Sequence, residues 1–293
     1  MGSKLTRMAK PEPPEGWPWE EEWSRHGLSL RRLRPVMRSL PTDPRCKICY
    51  APFAGPGKHL VRPFGYRQSR KNPRLCSVCF EDAPDGGMEM DGGVLFADVR
   101  GYTTLSETVP PTGLAMLLNR FYRAATDALI RHDAVIDKLV GDEVMAIFLP
   151  PIVGGETREQ MVGAADELLR AVGFGTPEGP WLPVGVGLDF GRVFAGNVGS
   201  GSQVRDFTAL GDAVNTAARL QGAAGPGQIV MSERVYEAVA ERYAGAESVS
   251  LELKGKSAPV AARVVDLSGS AEVPDQEWPT WAEHVVGRVS HDV

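Results

Sequence analysis

Histidine and cysteine are scarce in this chain of 293 residues, at five and four respectively. The histidines, His26, His59, His132, His284 and His291, lie away from every motif described below, which disfavours a histidine-based catalytic centre. No apolar run approaches the roughly 20 residues that span a bilayer. The start, Met1-Gly2-Ser3-Lys4, leads into Pro- and Trp-rich sequence rather than the apolar core of a signal peptide. A cytoplasmic protein without a membrane partner is therefore expected. Internal repeats are absent. Apolar residues are not lacking: 43% hydrophobic and 24% charged residues are ordinary for a globular chain, which excludes disorder throughout.

The net charge of −5 conceals a division. Residues 1–80 hold 16 Lys/Arg against 6 Asp/Glu, and residues 81–293 hold 16 against 31. The basic part carries no base-stacking motif, so docking on the acidic remainder is favoured over nucleic acid as its partner.

All four cysteines fall in Cys46-Lys47-Ile48-Cys49 and Cys76-Ser77-Val78-Cys79, separated by 26 residues. Two such pairs in a reducing compartment fit a closed tetrahedral four-thiolate zinc site, in which the metal replaces a missing apolar core. An iron–sulfur cluster uses the same ligands and is the alternative. The expected module is small and zinc-ribbon-like, spanning 46–85. It follows an N-terminal extension, 1–45, in which Glu20-Glu21-Glu22-Trp23 opens a short helix. Ala83-Pro84-Asp85-Gly86-Gly87 reads as its exit linker.

From residue 93 the apolar pattern alternates between strand and helix periods. Strands are expected at 94–96, 134–139, 144–148 and 184–188, with helices at 113–131 and 157–172. Asp189-Phe190-Gly191-Arg192 is expected to turn the chain into another short strand. This β-α-β-β-α-β order predicts a ferredoxin-like α+β core, four antiparallel strands with two helices on one face. A C-terminal α/β extension follows: strand 207–210, helix 213–221, strand 229–231, helix 233–243 and a hairpin around Lys254-Gly255-Lys256. Residues 268–293 read as a tail.

Two aspartates stand out against this background. Asp98 closes the apolar run Val94-Leu95-Phe96-Ala97, and Asp142 lies in Val140-Gly141-Asp142-Glu143 between two short strands. A carboxylate beside an apolar strand is costly unless a cation meets it. Two of them suit a pair of hard cations sharing a nucleotide triphosphate. Farther on, Asp212 is placed to cap a helix that sets Asn215 and Arg219 four residues apart. That face offers an amide and a guanidinium to a ribose oxygen and a phosphoryl group.

Taken in order, these segments resemble the catalytic domain of class III nucleotidyl cyclases across roughly 90–267, and within it the threonine-type subgroup, class IIIb. The resemblance implies that Asp98 and Asp142, with the Val99 backbone, hold two Mg²⁺ or Mn²⁺ ions per active site. It implies that Lys138 and Thr208 read the purine, and that Asn215 and Arg219 stabilise the transition state. Arg192 and Lys254 would bind phosphate. It further implies conversion of ATP to 3′,5′-cyclic AMP and pyrophosphate by a head-to-tail homodimer with sites at the interface; some members of the subgroup respond to bicarbonate. Guanylate cyclase activity is the alternative, since a threonine hydroxyl both donates and accepts. A silent nucleotide sensor of the same fold is another.

Taken singly, each residue has a plainer reading. Asp98 and Asp142 are then turn acids, Lys138 a solvated strand lysine, Thr208 a β-former, and Asn215 and Arg219 a cap or an ion pair. Arg192 and Lys254 are the least specific. A diguanylate cyclase is disfavoured because Val140 and Val144 break its signature loop around Gly141-Asp142-Glu143.

Overall fold

The computed structural model describes residues 29, 32–40, 44–83, 86–200, 204–253 and 258–269. They fall into two compact units, Met1–Met90 with Phe194–Leu210, and Asp91–Val193 with Gly211–Val293. The expected helix at Glu20–Trp23 and the 268–293 tail from residue 270 onward lie outside the described residues, as do Lys254, Gly255 and Lys256.

In the second unit, strand β1 (Gly86–Val99) enters at Asp91 and is followed by helices α2 (Tyr102–Thr108) and α3 (Pro111–Arg131). Then come strands β2 (Val135–Val140) and β3 (Glu143–Phe148), helices α4 (Pro150–Val153) and α5 (Thr157–Ala171), and strand β4 (Val184–Ser200) up to Val193. Helix α6 (Asp212–Ala223), strand β6 (Gln228–Ser232), helix α7 (Glu233–Tyr236), and strands β7 (Glu247–Leu251) and β8 (Val260–Asp266) complete it. The strands are ordered β2-β3-β1-β4-β6-β8-β7. The first four positions are those of the ferredoxin-like core, and β6 extends it by pairing parallel to β4 through Val186 and Ile229. The expected mixed α+β fold is thus found.

The apolar stripe of α3 explains its seat: Leu117, Phe121, Ala125, Ala128 and Leu129 are buried against the sheet and α5, with Leu95, Phe148, Met161, Leu168 and Leu169. Each large side chain buried there contributes about 1.5–3 kcal/mol. Pro111 starts α3 where the missing N–H breaks no helical bond. Close approach is allowed by glycine. A Cβ on Gly93 would lie 2.7 Å from the Met161 sulfur of α5, and one on Gly187 would lie 2.1 Å from the Gln221 backbone nitrogen of α6. These two positions set both helices directly on the strands.

The first unit contains the helical stretch 32–39, helix α1 (Gly55–Val61), two short 3₁₀ turns (Arg62–Phe64 and Ser77–Cys79), the start of β1, and an antiparallel hairpin. The hairpin joins β4 from Phe194 to strand β5 (Val204–Leu210), with Asn197 opposite Phe207 and Gly196 opposite Thr208.

Four local expectations are corrected. Gly86 and Gly87 are not linker but open β1, because a Cβ on Gly87 would lie 2.3 Å from the Ala195 carbonyl and only glycine permits that approach. Asp189–Arg192 does not turn; β4 runs through it. The buried Asp189 carboxylate accepts from Ser232 Oγ and the Phe190 N–H and meets Arg234, so it is satisfied within the strand. The helix expected at 233–243 ends at Tyr236, after which three-residue turns such as Val239 N–H to Tyr236 O carry the chain on. Asp212 is the first helical residue of α6, not its cap; Gly211, at φ 139°, holds that place 3.0 Å from the Arg192 carbonyl, measured from the position of a Cβ.

Candidate active site

β1 and β3 pair in a register that sets Asp98 opposite Glu143, so the acid of β1 meets the turn preceding β3. That turn is two residues, Gly141-Asp142, between paired Val140 and Glu143. Gly141 has φ 60°, the left-handed conformation such hairpin turns demand. Tyr122 of α3 donates its hydroxyl hydrogen to the Gly141 carbonyl and tethers the turn. Burial pushes the Tyr122 hydroxyl pKa up, with the charges of Tyr102 and Asp142 adding to it.

The structure brings Asp98 and Asp142 together. Burial, a hydrogen bond with Asp98 and the Asp98 charge push Asp142 up to about 7. Glu143 is also raised, by burial and then by Asp98. Asp98 thus acts on both neighbouring acids, and such an accumulation of negative charge favours a cation. The oxygen-only donor set suits Mg²⁺ or Mn²⁺.

One cation already borders the pair, and sequence reasoning missed it. Arg100 places Nη2 3.9 Å from Asp98 Oδ2 and donates from the same nitrogen to the Gln221 carbonyl at 2.8 Å. Burial lowers its pKa, while Asp98 and Asp142 oppose that shift. Its Nε is buried without a hydrogen-bond partner and would lie 2.8 Å from a Cβ on Gly185. The only signal in the sequence was a glycine inside a strand, which marks close approach without naming what approaches.

The other candidates in this unit sit on separate elements. Lys138 is on β2, its side chain about half exposed, with Nζ 3.5 Å from the buried Asp137 carboxylate. A register shift between Ile136 and Lys138 marks a bulge there. Asn215 is exposed and Arg219 half-buried, one turn apart on α6. Arg192 is exposed on β4. In the first unit, Thr208 is buried on β5, its hydroxyl 3.5 Å from the Ala209 carbonyl.

The four cysteines are also brought together. All are buried, and their sulfurs lie within 4.8 Å of one another: 3.8 Å for Cys46–Cys79, 3.5 Å for Cys49–Cys76 and 3.3 Å for Cys76–Cys79. Tetrahedral zinc with Zn–S near 2.3 Å sets sulfurs about 3.8 Å apart, so the donor set fits that ion. The Cys76 N–H donates to Cys46 Sγ at 3.3 Å, a bond that steadies a thiolate. Hydrogen bonds from the three other thiols drive the Cys46 pKa down.

Fold and motif define the class. The model of the adenylate and guanylate cyclase catalytic domain matches residues 90–264, and the chain belongs to that family. That family is defined by a nucleotidyl cyclase catalytic domain. Among relatives, the uncharacterized protein Rv1318c of Mycobacterium tuberculosis is 29% identical over 208 residues, 70% of this chain and 36% of that protein. The chain thus spans about a third of the length of such relatives. Among solved structures, the guanylyl cyclase Cya2 aligns over 64% of this chain and 98% of its own, at 26% identity and a TM-score of 0.54. The adenylyl cyclase CyaB of P. aeruginosa aligns over 61% and 95%, at 28% identity and a TM-score of 0.52. Among the described residues no helix is long and apolar enough to cross a membrane.

Proposed function

We propose that this chain is an adenylate cyclase that converts ATP to 3′,5′-cyclic AMP and pyrophosphate at the interface of a head-to-tail homodimer. The observation that carries the reading is the meeting of Asp98 and Asp142, with Asp142 raised to about 7. Two Mg²⁺ or Mn²⁺ ions held by Asp98, Asp142 and the Val99 backbone would supply neutralisation of the triphosphate and acidification of the ribose 3′ hydroxyl.

The chain's own groups do the rest. The Lys138 ammonium and the Thr208 hydroxyl hold the base edge, Arg192 and Lys254 the phosphate oxygens. The Asn215 amide orients the ribose. The 3′ oxygen gives its proton to solvent water and bonds to the α-phosphorus as the bond from that phosphorus to its bridging oxygen breaks, and pyrophosphate departs with the electron pair. Arg219 stabilises the charge that develops on the α-phosphoryl oxygens. The acids and the Asn215/Arg219 face lie on different elements of one chain, and every role is filled once, so two identical chains can build two sites. The catalytic domain is assigned to 90–267 and the cysteine module, as a zinc site, to 46–85, with 1–45 and 268–293 flanking them.

Guanylate cyclase activity is the second reading. Thr208 can serve either purine, and the two structural relatives above comprise one guanylyl and one adenylyl cyclase. The test is product analysis of the purified protein with Mn²⁺ and each of ATP, GTP, CTP and UTP. Cyclic AMP as main product, abolished in Asp98→Ala and Asp142→Ala, is expected. Cyclic GTP-derived product in excess favours the second reading, and nucleotide binding without turnover rejects both.

A further inference from the structure

The loop and turn that carry the second cysteine pair also grip strand β5. Lys71 places Nζ 2.8 Å from the Asp206 carboxylate and donates to the Phe207 carbonyl at 2.7 Å, the peptide that leads into Thr208. Its side chain is 15% exposed while that of Asp206 is 52% exposed, so the hold rests chiefly on the hydrogen bond to the Phe207 carbonyl rather than on the ion pair. Phe80, directly after Cys79, packs against Phe207 with ring centroids 4.4 Å apart and the rings tilted by 55°. Opposite Phe207 in the hairpin, buried Asn197 donates its side-chain amide to the carbonyls of Phe80 at 3.3 Å and Ala83 at 3.0 Å. Strand and partner strand are thus both tied to the cysteine module, at the residue before Thr208 and the one across from it. All of these residues belong to the first compact unit.

The grip is anchored in the cysteine cluster. Ser69 N–H donates to the Leu75 carbonyl at 2.8 Å, and Ser77 N–H to the Arg67 carbonyl at 2.8 Å, closing the loop that presents Lys71 onto the second knuckle. Phe80 N–H donates to the Ser77 carbonyl at 3.0 Å, fixing the ring just beyond Cys79. The module buries Phe53, Val61, Leu75 and Phe80 beside the four cysteines, and a metal held by those cysteines would add a crosslink to this packing.

We propose that the four-cysteine module is the positioning device for the base-reading strand, with Lys71 its specificity-determining residue: Lys71 and Phe80 hold β5 in the conformation from which Thr208 meets the purine. This rests on the assignment of Thr208 to the base edge. Lys71 touches no substrate; it acts through the Phe207 peptide. Loosening it frees the strand, so base discrimination falls while the chemistry at the two aspartates continues.

The test uses the full chain, with Lys71→Ala, Lys71→Arg and Cys79→Ser compared by steady-state kinetics on ATP and GTP and by amide hydrogen exchange of 204–210. Lys71→Ala is expected to raise the ATP KM by about 3- to 10-fold, because β5 then holds Thr208 in the base-reading position for only a fraction of the time. It should narrow the ATP-to-GTP ratio in kcat/KM, leave kcat within about 2-fold, and speed exchange in β5 with the metal content unchanged. Lys71→Arg should restore both readouts. Cys79→Ser should lower metal content and speed the same amides. Unchanged exchange in Lys71→Ala overturns the grip. Faster exchange with unchanged KM and ratio overturns its role in specificity. A Thr208→Ala control with wild-type KM and ratio shows that the base assignment itself has failed, while the exchange data still judge the grip.

Discussion

Asp98 lies beside Asp142 where the turn meets the end of the β1–β3 ladder, and burial together with the neighbouring Asp98 carboxyl pushes Asp142 up to about 7. In the unfolded chain an aspartate titrates near 3.9. Between those values the metal-free folded protein binds a proton that the unfolded chain has released, so stability falls as pH rises through the window. Thermal melts in chelator from pH 4 to 8 should show this decline. Asp98→Asn should flatten it in part, because burial is the larger cause and persists. Saturating Mn²⁺, bound by the ionised pair as proposed, should remove it.

Activity and stability should part company at the same residues. Asp142→Ala is expected to lower cyclic nucleotide formation by about 10²–10⁴-fold, the several kcal/mol that bound cations provide. It should raise the metal-free melting temperature near pH 8, since a half-buried repelling charge is gone. Loss of stability would mean that Asp142 is a structural turn acid.

The proposed sharing of sites between two chains makes a prediction for mixtures. Asp142→Ala and Arg219→Ala chains, each inactive alone, should regain part of wild-type activity when co-assembled, because one of the two hybrid sites carries both intact residues. Heterodimers shown by tagged pull-down, yet without activity, would argue for a site within one chain.

Gly187 is the point where α6 rests on β4. Gly187→Ala would drive a Cβ to 2.1 Å from Gln221 N and 2.4 Å from Ala217 O, both backbone atoms. Destabilisation of about 1–3 kcal/mol is expected in urea melts. The kcat should fall with it, because the displaced helix carries Asn215 and Arg219. A shift in stability with unchanged kcat would detach α6 from the chemistry.

The cysteine cluster should bind one metal ion per chain, zinc by elemental analysis. Replacing Cys46 by Ser should reduce the content and expose the module to proteolysis. Visible charge-transfer absorption with stoichiometric iron and acid-labile sulfide would identify an iron–sulfur cluster in its place.

The family and the candidate residues were legible because their patterns are local. The acids at 98 and 142, the two knuckles and the Asn215/Arg219 spacing are short patterns whose residue types carry their own meaning. Strand ends were less legible. β1 begins at Gly86 and β4 runs unbroken through Asp189, because glycine and aspartate signal turns unless a neighbouring strand or the Ser232 hydroxyl satisfies them. Arg100 was missed for a related reason: its importance lies in Asp98 and Gln221, partners distant in sequence.

By itself, then, the order of residues determined the family, the α+β class and the donor atoms, since periodicity and side-chain chemistry are properties of neighbours along the chain. Only the folded structure decided that burial and Asp98 raise Asp142, that Gly187 seats α6, and that Lys71 meets the strand bearing Thr208. Those are consequences of distance in space, and burial and Coulomb interactions act over a few ångströms however far apart the residues stand in the chain.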